Sequence, residues 1–567
     1  MKDLTQVIAW IREGLYECNL VRGGGQIAVG FCVEERSYKY TSGIRMPTVK
    51  SFLSLLTFVY AATLAATGAN PFVNQKSLTP GNEIDELVFG RLQRLAIQPA
   101  LICSDAVFVR RAYLDVIGTL PTRKEARRFI DDRNKGKRSE LIGYLLEQEE
   151  FADYWAMKWG DLLRVKAEFP INLWPNGAQA YHRWIRTSIK ENRPYDWFVR
   201  EMLTASGSNF RVPQVNFYRA AQSTDPAAIA RAVALTFMGE RTDNWPEEKL
   251  AGMSVFFSQI SYKPTREWKE EIVGRDLSRA PGNKEKTAIF PDGTSVRLSP
   301  VKDPRAVFAD WLVNPANHRF NRNIVNRIWS WLLGRGIIDE PDDIRPDNPP
   351  SNSELLVWLE EELVRVGYDL KHIYRLILNS KTYQLSSIAR TNHPRAEANF
   401  ARYPIRRLDA EVLIDALNQI TGSTEAYVSD IPEPFTYMPQ DQRSIALADG
   451  SITSPFLELF GRPSRDTGLE SERNNRFTAA QRLHLLNSSH IQRKLEQCKD
   501  FQYLTRFRKD RQVEGVNALY LTILSRFPTP EEADTALDYV TTKGVSRRGI
   551  TDLAWALVNT AEFLHRH

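Results

Sequence analysis

Acidic residues that could carry proton-transfer chemistry occur as two pairs. Asp161 and Asp196 form the first pair, and Glu411 with Asp415 forms the second. Glycoside hydrolysis needs two carboxyl groups, because one donates a proton to the leaving group while the other acts as base or nucleophile. Glu411 and Asp415 lie four residues apart on one face of an expected helix, where like charges usually face solvent or pair with arginines. Asp161, Asp196 and Glu411 are the catalytic candidates, and a structural role is the alternative for each.

A run of aspartates separated by prolines could instead hold a metal ion. Asp339, Asp342, Asp343 and Asp347 supply oxygen ligands at a density suited to calcium. Their spacing departs from that of an EF-hand, whose loop carries glycine at its sixth position. Because Asp and Pro also build turns and helix caps, the structural interpretation is favoured. The sequence predicts no metal centre, with Asp342, Asp343 and Asp347 as the candidates if one exists.

Arginines close to tryptophans form a candidate binding site. Arg322, Arg327 and Arg335 flank Trp329 and Trp331. A guanidinium group matches the geometry of carboxylate and phosphate and stacks on aromatic rings, so this group could hold an anion or a polysaccharide sulfate. An interface or a position at the edge of the core is the alternative, and it is the favoured one.

Tryptophans crowd residues 155–197, at positions 155, 159, 174, 184 and 197. In an exported protein their faces could stack on sugar rings. Their spacing is helical, however, and it favours packing in the core.

The elements that must position these residues are helices. Ile84, Val88 and Leu92 recur at four-residue intervals, the period of an amphipathic helix. Residues 263–302 change to Lys, Glu, Arg, Pro and Gly, and a Pro-Asp-Gly turn at 291–293 predicts a short hairpin. The fold is predicted to be mainly α, with helical domains at 83–262 and 303–567 joined by a linker, 263–302, that contains the β-hairpin.

One pattern occurs twice along the chain. Thr122 and Glu125 follow a Pro in the first copy, and Thr529 and Glu532 follow a Pro in the second. Each pair has the spacing of a capping box, in which the threonine and the glutamate satisfy free amides at a helix start. The repeat indicates either a duplicated helical module or a common helix–turn–helix that occurs twice by chance.

The first 82 residues resemble a targeting sequence more than part of a folded domain. Residues 46–69 begin with Met46 and Lys50, continue through an apolar stretch at 52–66 and end in small residues, which is typical of a secretory signal peptide. Residues 1–45 are then expected to be a gene-model extension and 70–82 a linker. A buried helix and an uncleaved anchor are the alternatives. We therefore expect an exported protein, periplasmic or extracellular, without a stable transmembrane span after cleavage.

Composition excludes several classes of protein. Hydrophobic residues make up 43% and charged residues 25% of the 567 residues, with a net charge of +6. This is globular composition, and the charge excess is too dilute to predict nucleic-acid binding. The mature chain would keep only Cys103 and Cys498, too few for a disulfide scaffold or a four-cysteine zinc module. Whether these two form a disulfide stays open.

Motifs in a fixed order carry a family resemblance. The first group is Tyr113-Leu114-Asp115, Trp159-Gly160-Asp161 and Asn192-Arg193-Pro194-Tyr195-Asp196. The second is Asn326-Arg327-Ile328-Trp329, Pro341-Asp342-Asp343 and Phe460-Gly461-Arg462-Pro463. The first group resembles the planctomycete cytochrome-associated domain (domain of unknown function fifteen-forty-nine), and the second resembles the planctomycete-specific domain (fifteen-fifty-three). The resemblance covers residues 83–567. It implies a fold class and a cellular location, but the family has no agreed reaction.

Two departures from that resemblance bear on cofactors. Similar members usually carry Cys-x-x-Cys-His after a Leu-Gly-x-Arg stretch, and that motif attaches haem through two thioethers and an imidazole. Here 241–246, which includes Arg241 and Trp245, contains neither Cys nor His. Similar members also often show Cys-x-Cys where Leu469 and Ser471 stand in this chain. We therefore expect no haem, metal or other cofactor, and we expect 241–246 and 465–473 to lie close together.

Three functions remain open at this point. The first is an exported, cofactor-free binding or scaffold protein whose partner is an envelope protein or a polysaccharide. The second is an extracytoplasmic enzyme that acts on polysaccharide. The third is a redox protein that relies on the haem of a cytochrome c partner.

Overall fold

The computed structural model describes residues 70–74, 78–279, 286–504, 512–542 and 547–567. The expected extension and signal peptide, 1–45 and 46–69, lie outside these residues. Residues from Pro71 to His567 form one compact unit. None of the helices in the described ranges combines the length and the apolar composition that a membrane span needs.

Helices build most of the described chain. Those before the predicted linker are α1 (Glu83–Arg94), α2 (Asp105–Val116), α3 (Arg123–Asp131), α4 (Lys137–Leu146), α5 (Glu149–Leu162), α6 (Trp174–Lys190), α7 (Tyr195–Thr204), α8 (Asn216–Arg219), α9 (Pro226–Met238) and α10 (Glu247–Ser254). Those after it are α11 (Pro304–Leu312), α12 (His318–Leu333), α13 (Ser353–Arg365), α14 (Leu370–Asn379), α15 (Ala410–Thr421), α16 (Pro455–Leu459), α17 (Ala479–Asn487), α18 (Ser489–Gln497), α19 (Lys499–Leu504), α20 (Gln512–Ile523), α21 (Pro530–Thr542), α22 (Arg547–Val558) and α23 (Ala561–Leu564). The prediction of a mainly α fold is confirmed.

Local sequence signals begin and end these helices. The side chains of Asn82, Ser104 and Thr122 accept hydrogen bonds from the first turns of α1, α2 and α3. These bonds satisfy amides that no helical carbonyl can reach. Helices α9 and α12 end at Gly239 and Gly334, whose φ angles are 65° and 72°. Glycine adopts this left-handed conformation without the strain that a Cβ would add.

Short antiparallel strands complete the fold. They are β1 (Val73–Asn74), β2 (Ile102–Cys103), β3 (Gly207–Ser208), β4 (Ile260–Pro264), β5 (Glu271–Arg275), β6 (Lys286–Ile289), β7 (Ser295–Leu298), β8 (Arg406–Arg407) and β9 (His565–Arg566). Strands β6 and β7 form the predicted hairpin, in the register that pairs Ala288 with Val296. The three-stranded sheet β3-β5-β4 was not expected.

One hydrophobic core runs through both segments that were expected to be separate helical domains. Trp155 of α5 packs on Tyr374 of α14 with their ring centroids 4.4 Å apart, and Trp159 packs on Trp331 at 6.0 Å. The Asp85 carboxylate accepts hydrogen bonds at 2.8 Å from the backbone amides of residues 381 and 382. Contacts of this kind position residues far apart in sequence around shared sites.

Candidate functional site

Two of the three catalytic candidates meet at a single arginine. Arg473 donates from Nη2 to Asp161 Oδ2 and from Nη1 to Glu411 Oε2, both at 2.7 Å. Arg465 donates from Nε to the other oxygen of Asp161 at 2.9 Å. Both carboxylates are enclosed, because the Asp161 side chain is 12% exposed and that of Glu411 is 1% exposed. Asp161 therefore lies next to Glu411, and arginine side chains donate hydrogen bonds to both carboxylates.

Asp196 lies in different surroundings. It is in the first turn of α7, and its charge lies near the phenol of Tyr368. Burial, with a contribution from Asp196, raises the pKa of Tyr368 to about 12. The expected pairing of Asp161 with Asp196 is thus replaced by a pairing of Asp161 with Glu411.

The electrostatics of Glu411 are those of an ion pair and not of a proton donor. Burial alone raises the pKa of Glu411, but Arg473 and Arg462 outweigh it and lower that pKa to about 2. A general acid needs a pKa raised towards the working pH. Because Glu411 is held as a carboxylate, this pair stabilises the fold more readily than it transfers protons.

The same ion pairs continue through the centre of the molecule. Asp409 lies 3.1 Å from Lys158 Nζ and 3.2 Å from Arg566 Nη2. Asp115 lies 3.0 Å from Arg566 Nε and accepts a hydrogen bond from Tyr403 at 2.7 Å. We call the following set the ionic core: Asp115, Lys158, Asp161, Asp409, Glu411, Arg465, Arg473 and Arg566. It joins α2 and α5 to residues after 400.

The expected arginine–tryptophan site is divided among separate ion pairs. Arg327 is 1% exposed and donates to Asp342 at 2.8 Å. Arg322 pairs with Glu360 at 2.7 Å, and Arg335 pairs with Asp339 at 3.0 Å. Trp329 is fully buried, with its ring 5.1 Å from that of Phe400. Each arginine thus has its own carboxylate, and the tryptophan belongs to the core.

The aspartates proposed as metal ligands are also paired with cations. Asp342 lies between Arg327 and the backbone amide of Glu470, which donates to Oδ2 at 2.6 Å. Asp343 and Asp347 each lie 3.2 Å from Arg345. Within the described ranges, no cluster of three or more His, Cys, Asp or Glu side chains has a geometry suited to a metal ion. The carboxylates of Asp342, Asp343 and Asp347 are therefore paired with arginines of the protein.

The two segments that depart from the family pattern contact one loop. In the first, Arg241 pairs with Glu340 at 2.9 Å, and Trp245 lies 3.7 Å from Lys249 Nζ. In the second, Glu470, between Leu469 and Ser471, donates its amide to Asp342. Residues 241–246 and 465–473 are therefore joined through residues 340–342. Protein side chains and backbone occupy the surroundings of both segments.

A polar cleft that the sequence did not reveal lies between α2–α5 and the region of α15. Its volume is about 430 Å³. We call it the polar cleft and define it by its lining residues: Tyr113, Thr119, Thr122, Glu125, Tyr144, Gln148, Glu150, Asp415, Asn418, Gln419, Ser423, Thr424, Asp441, Gln442 and Arg443, with Ile117 and Leu120. Hydroxyl, amide and carboxylate groups from distant parts of the chain converge there.

Asp415 and Arg443 fix the charge at one end of the polar cleft. The oxygens of Asp415 accept hydrogen bonds from the amides of Ser444 and Ile445, at 2.8 and 3.1 Å. Burial raises the pKa of Asp415, although Arg443 and these amides act in the opposite direction. Arg443 lies 3.7 Å from Asp415 and 3.8 Å from Glu150. The cleft therefore offers one guanidinium held between two carboxylates.

Amides and hydroxyls form the opposite wall. Gln419 donates to the carbonyl of Leu120 at 2.9 Å and accepts a hydrogen bond from Thr119 at 2.9 Å. Tyr144 presents its ring to solvent, with 51% of the residue exposed. One sequence signal marks this wall, the capping box at Thr122, and a structural role explains it without reference to a site.

Comparisons with known proteins agree with this architecture. Residues 83–255 match the family model PSCyt2, described as a protein of unknown function (DUF1549), and residues 304–540 match PSD1, described as a protein of unknown function (DUF1553). The pair and its order are those that the sequence motifs predict. No curated protein and no solved structure matches the chain.

Proposed function

Because the chain belongs to the proteins in which a PSCyt2 domain precedes a PSD1 domain, we propose that it is an exported carbohydrate-binding protein whose ligand occupies the polar cleft. One observation carries the proposal, namely the convergence of hydroxyl, amide and carboxylate side chains around a volume of about 430 Å³. Sites for small molecules have volumes of about 300–1,000 Å³ and fix their ligands with a few well-placed polar groups.

The chemistry of the cleft supports a ligand rich in hydroxyl groups. Gln419 and Asn418 can both donate and accept hydrogen bonds, as can every sugar hydroxyl. Tyr144, which is 51% exposed, adds an aromatic ring with one polar end, and this suits a sugar ring that has both apolar faces and hydroxyl groups. The lining carries four carboxyl groups, at Glu125, Glu150, Asp415 and Asp441, against the single guanidinium of Arg443. A neutral sugar therefore fits the cleft better than an anionic one.

The proposed cellular location is the cell envelope. It rests on the signal-peptide pattern at 46–69, with its basic start, apolar stretch and small residues at the end. N-terminal sequencing of the native protein tests it, and we expect the first residue to follow position 69. A native chain that begins at residue 1 would contradict it.

Calorimetric titration of the full chain with cellobiose, maltotriose, chitobiose and galacturonate tests the binding proposal. We expect at least one of them to bind, and we expect Tyr144→Ala and Gln419→Ala to weaken that binding. Leu483→Ala is the matched control, since Leu483 is 58% exposed and lies on α17, outside the cleft. If all four sugars fail to bind, or if the cleft variants bind as tightly as the control, the proposal is wrong.

A polysaccharide-cleaving enzyme is the second candidate, and Asp415 is the observation that favours it. Its raised pKa and its position near Glu150 in one cleft resemble an acid–base arrangement. Release of reducing ends by the wild type and by Glu150→Gln separates the two functions. Binding without release supports the binding protein, whereas release that Glu150→Gln abolishes supports the enzyme.

A further inference from the structure

An aromatic and cationic surface lies outside the polar cleft. We call it the aromatic platform and define it by Trp174, Trp268, Lys269 and Phe435. Trp268 is 70% exposed and Phe435 is 53% exposed. The rings of Trp174 and Phe435 lie 5.5 Å apart at 59°. The Lys269 ammonium lies 6.0 Å from the ring centre of Trp174 and 5.6 Å from that of Trp268. Large aromatic side chains left in water at one place indicate a binding surface.

The backbone at this surface is held in an unfavourable conformation. Asn172, Trp174 and Lys269 have φ angles of 62°, 66° and 62°. A Cβ makes this left-handed region costly, and most of all for a bulky residue such as tryptophan. Strained residues persist only where the surrounding structure fixes them, and they concentrate at functional sites. The surrounding structure therefore fixes the backbone of Trp174 and Lys269 at this surface.

Within the platform itself the only charged side chain is that of Lys269, and the exposed Glu433 lies two residues before Phe435 in the chain. Glu270 is 8% exposed and accepts hydrogen bonds from two hydroxyl groups of the protein. Glu271 pairs with an arginine at 2.8 Å. Arg266 and Glu267 are both exposed and offset each other. The ammonium of Lys269 is left between two indole rings, where a bound anion can reach it.

We propose that the aromatic platform binds an anionic polysaccharide, with sugar rings stacked on Trp268 and Phe435 and a sulfate or carboxylate group paired with Lys269. An ammonium group is a compact point charge with three donors, and it suits either anion. The site extends the proposed function from a small sugar to a polymer. It uses none of the residues of the polar cleft, so the two sites can fail separately.

The small size of the platform favours a polysaccharide over a protein partner. A stable protein interface buries about 800 Å² on each partner. Three aromatic side chains supply at most about 150–250 Å² each, and Trp174 is partly covered already. A sugar chain needs only one ring face for each residue that it stacks. A protein partner is therefore an outcome that the experiment must be able to reveal.

Binding of labelled dextran sulfate, polygalacturonate and neutral dextran to the full chain, measured by fluorescence anisotropy, tests the proposal. We expect one of the two anionic polymers to bind more tightly than dextran, and the tighter one identifies the anion as sulfate or carboxylate. Trp268→Ala should weaken that binding about tenfold, because it removes the aromatic face on which a sugar ring stacks. Lys269→Gln should remove most of the preference for the anionic polymer and reduce its dependence on salt.

Trp197→Ala is the matched control, because Trp197 is also partly exposed and lies 4.8 Å from a guanidinium group, that of Arg193, at a different surface. It should bind dextran sulfate and polygalacturonate as the wild type does. Equal binding by Trp268→Ala and wild type overturns the proposal. So does the absence of binding to either anionic polymer, which would leave the platform to a protein partner.

The two proposed sites are separated by measuring both ligands on both sets of variants. Trp268→Ala should keep the small-sugar binding of the polar cleft, and Tyr144→Ala should keep the binding of the anionic polymer. Loss of both ligands in one variant, accompanied by a lower melting temperature, indicates misfolding. In that case Phe435→Leu, which keeps an apolar side chain but removes the ring, takes the place of Trp268→Ala.

Discussion

At the scale of single residues, the catalytic candidates are better explained by stability than by chemistry. Asp161 and Glu411 could be selected from the sequence as ionisable residues, but their shared partner could not. Arg473 lies 312 residues from Asp161 and 62 residues from Glu411. No local pattern connects residues at such separations, so their pairing depends on the tertiary fold. The sequence thus indicates which residue types form the ionic core, but it does not indicate which of these residues pair with one another.

Arg473 is the residue whose loss should cost most. It contacts Asp161 and Glu411 and lies 3.7 Å from Asp409. We expect Arg473→Met to lower the free energy of unfolding by about 3–5 kcal/mol, because it leaves buried carboxylates unpaired. Chemical denaturation of the purified chain measures this. Arg476→Met is the control, because Arg476 is exposed and should change stability by less than about 0.5 kcal/mol. Equal effects would contradict the assignment of a buried network.

Acid should destabilise the protein through buried histidine. Burial, together with Arg465 and Arg186, lowers the pKa of His182 to about 3. The unfolded state takes up a proton near pH 6.5 and the folded state does not until about pH 3, so stability falls as the pH decreases between these values. Each such group contributes a slope of at most about 1.4 kcal/mol per pH unit. His182→Leu should therefore flatten the pH dependence of unfolding from pH 6.5 to 4, and an unchanged slope would disprove this origin.

At the scale of elements, short sequence patterns predicted the features that depend on interactions between residues close together in the chain. Thr122 and Glu125 exchange the hydrogen bonds of a capping box, as do Thr529 and Glu532. Ser351 and Glu354 have the same spacing and also predict a capping box, but this prediction is wrong, because Asn352 caps α13 instead. Strands β4 and β5 were missed because each has only five residues, including charged ones, and neither shows a clear alternation of apolar and polar residues. Their sheet is completed by β3, more than 50 residues earlier in the chain, and a pairing at that distance has no local signature.

The end of helix α9 shows how one element is fitted to a neighbouring loop. A Cβ on Gly239 would lie 2.7 Å from the carbonyl oxygen of Pro341, which is backbone and cannot rotate away. Gly367 has a similar φ of 66° but has nothing within 4 Å of that position. Gly367→Ala should cost about 1–2 kcal/mol from conformation alone, and Gly239→Ala should cost clearly more. Thermal unfolding of both variants tests this, and equal losses would mean that the loop yields without cost.

At the scale of the whole molecule, the two segments that match separate family models are not separate in their packing. Asp115 of α2 accepts a hydrogen bond from Tyr383 at 2.9 Å and pairs with Arg566 at 3.0 Å. Trp155 and Trp159 of α5 pack on Tyr374 and Trp331. Periodicity predicted the helices and the Pro-Asp-Gly turn predicted the hairpin, because both signals lie within a few residues of the chain. It could not predict that the apolar faces of the two halves pack against each other, because the sequence of an apolar helix face does not identify the helix that will cover it.

The first segment should therefore fail to fold alone. Expressed without 303–567, residues 83–262 would expose the apolar faces of α2 and α5 and leave Asp115 and Asp161 without their cations. Each apolar side chain left in water forfeits about 1.5–3 kcal/mol of burial free energy, so a few such losses equal the whole stability of a domain, about 5–15 kcal/mol. We expect residues 83–262 to show no cooperative thermal transition, whereas residues 71–567 unfold in one. Co-expression of 71–302 with 303–567 should restore the transition, because the two fragments together supply every contact across the shared core. A cooperative transition in 83–262 alone would show that apolar packing within that segment suffices and that the ionic core only joins two independent domains.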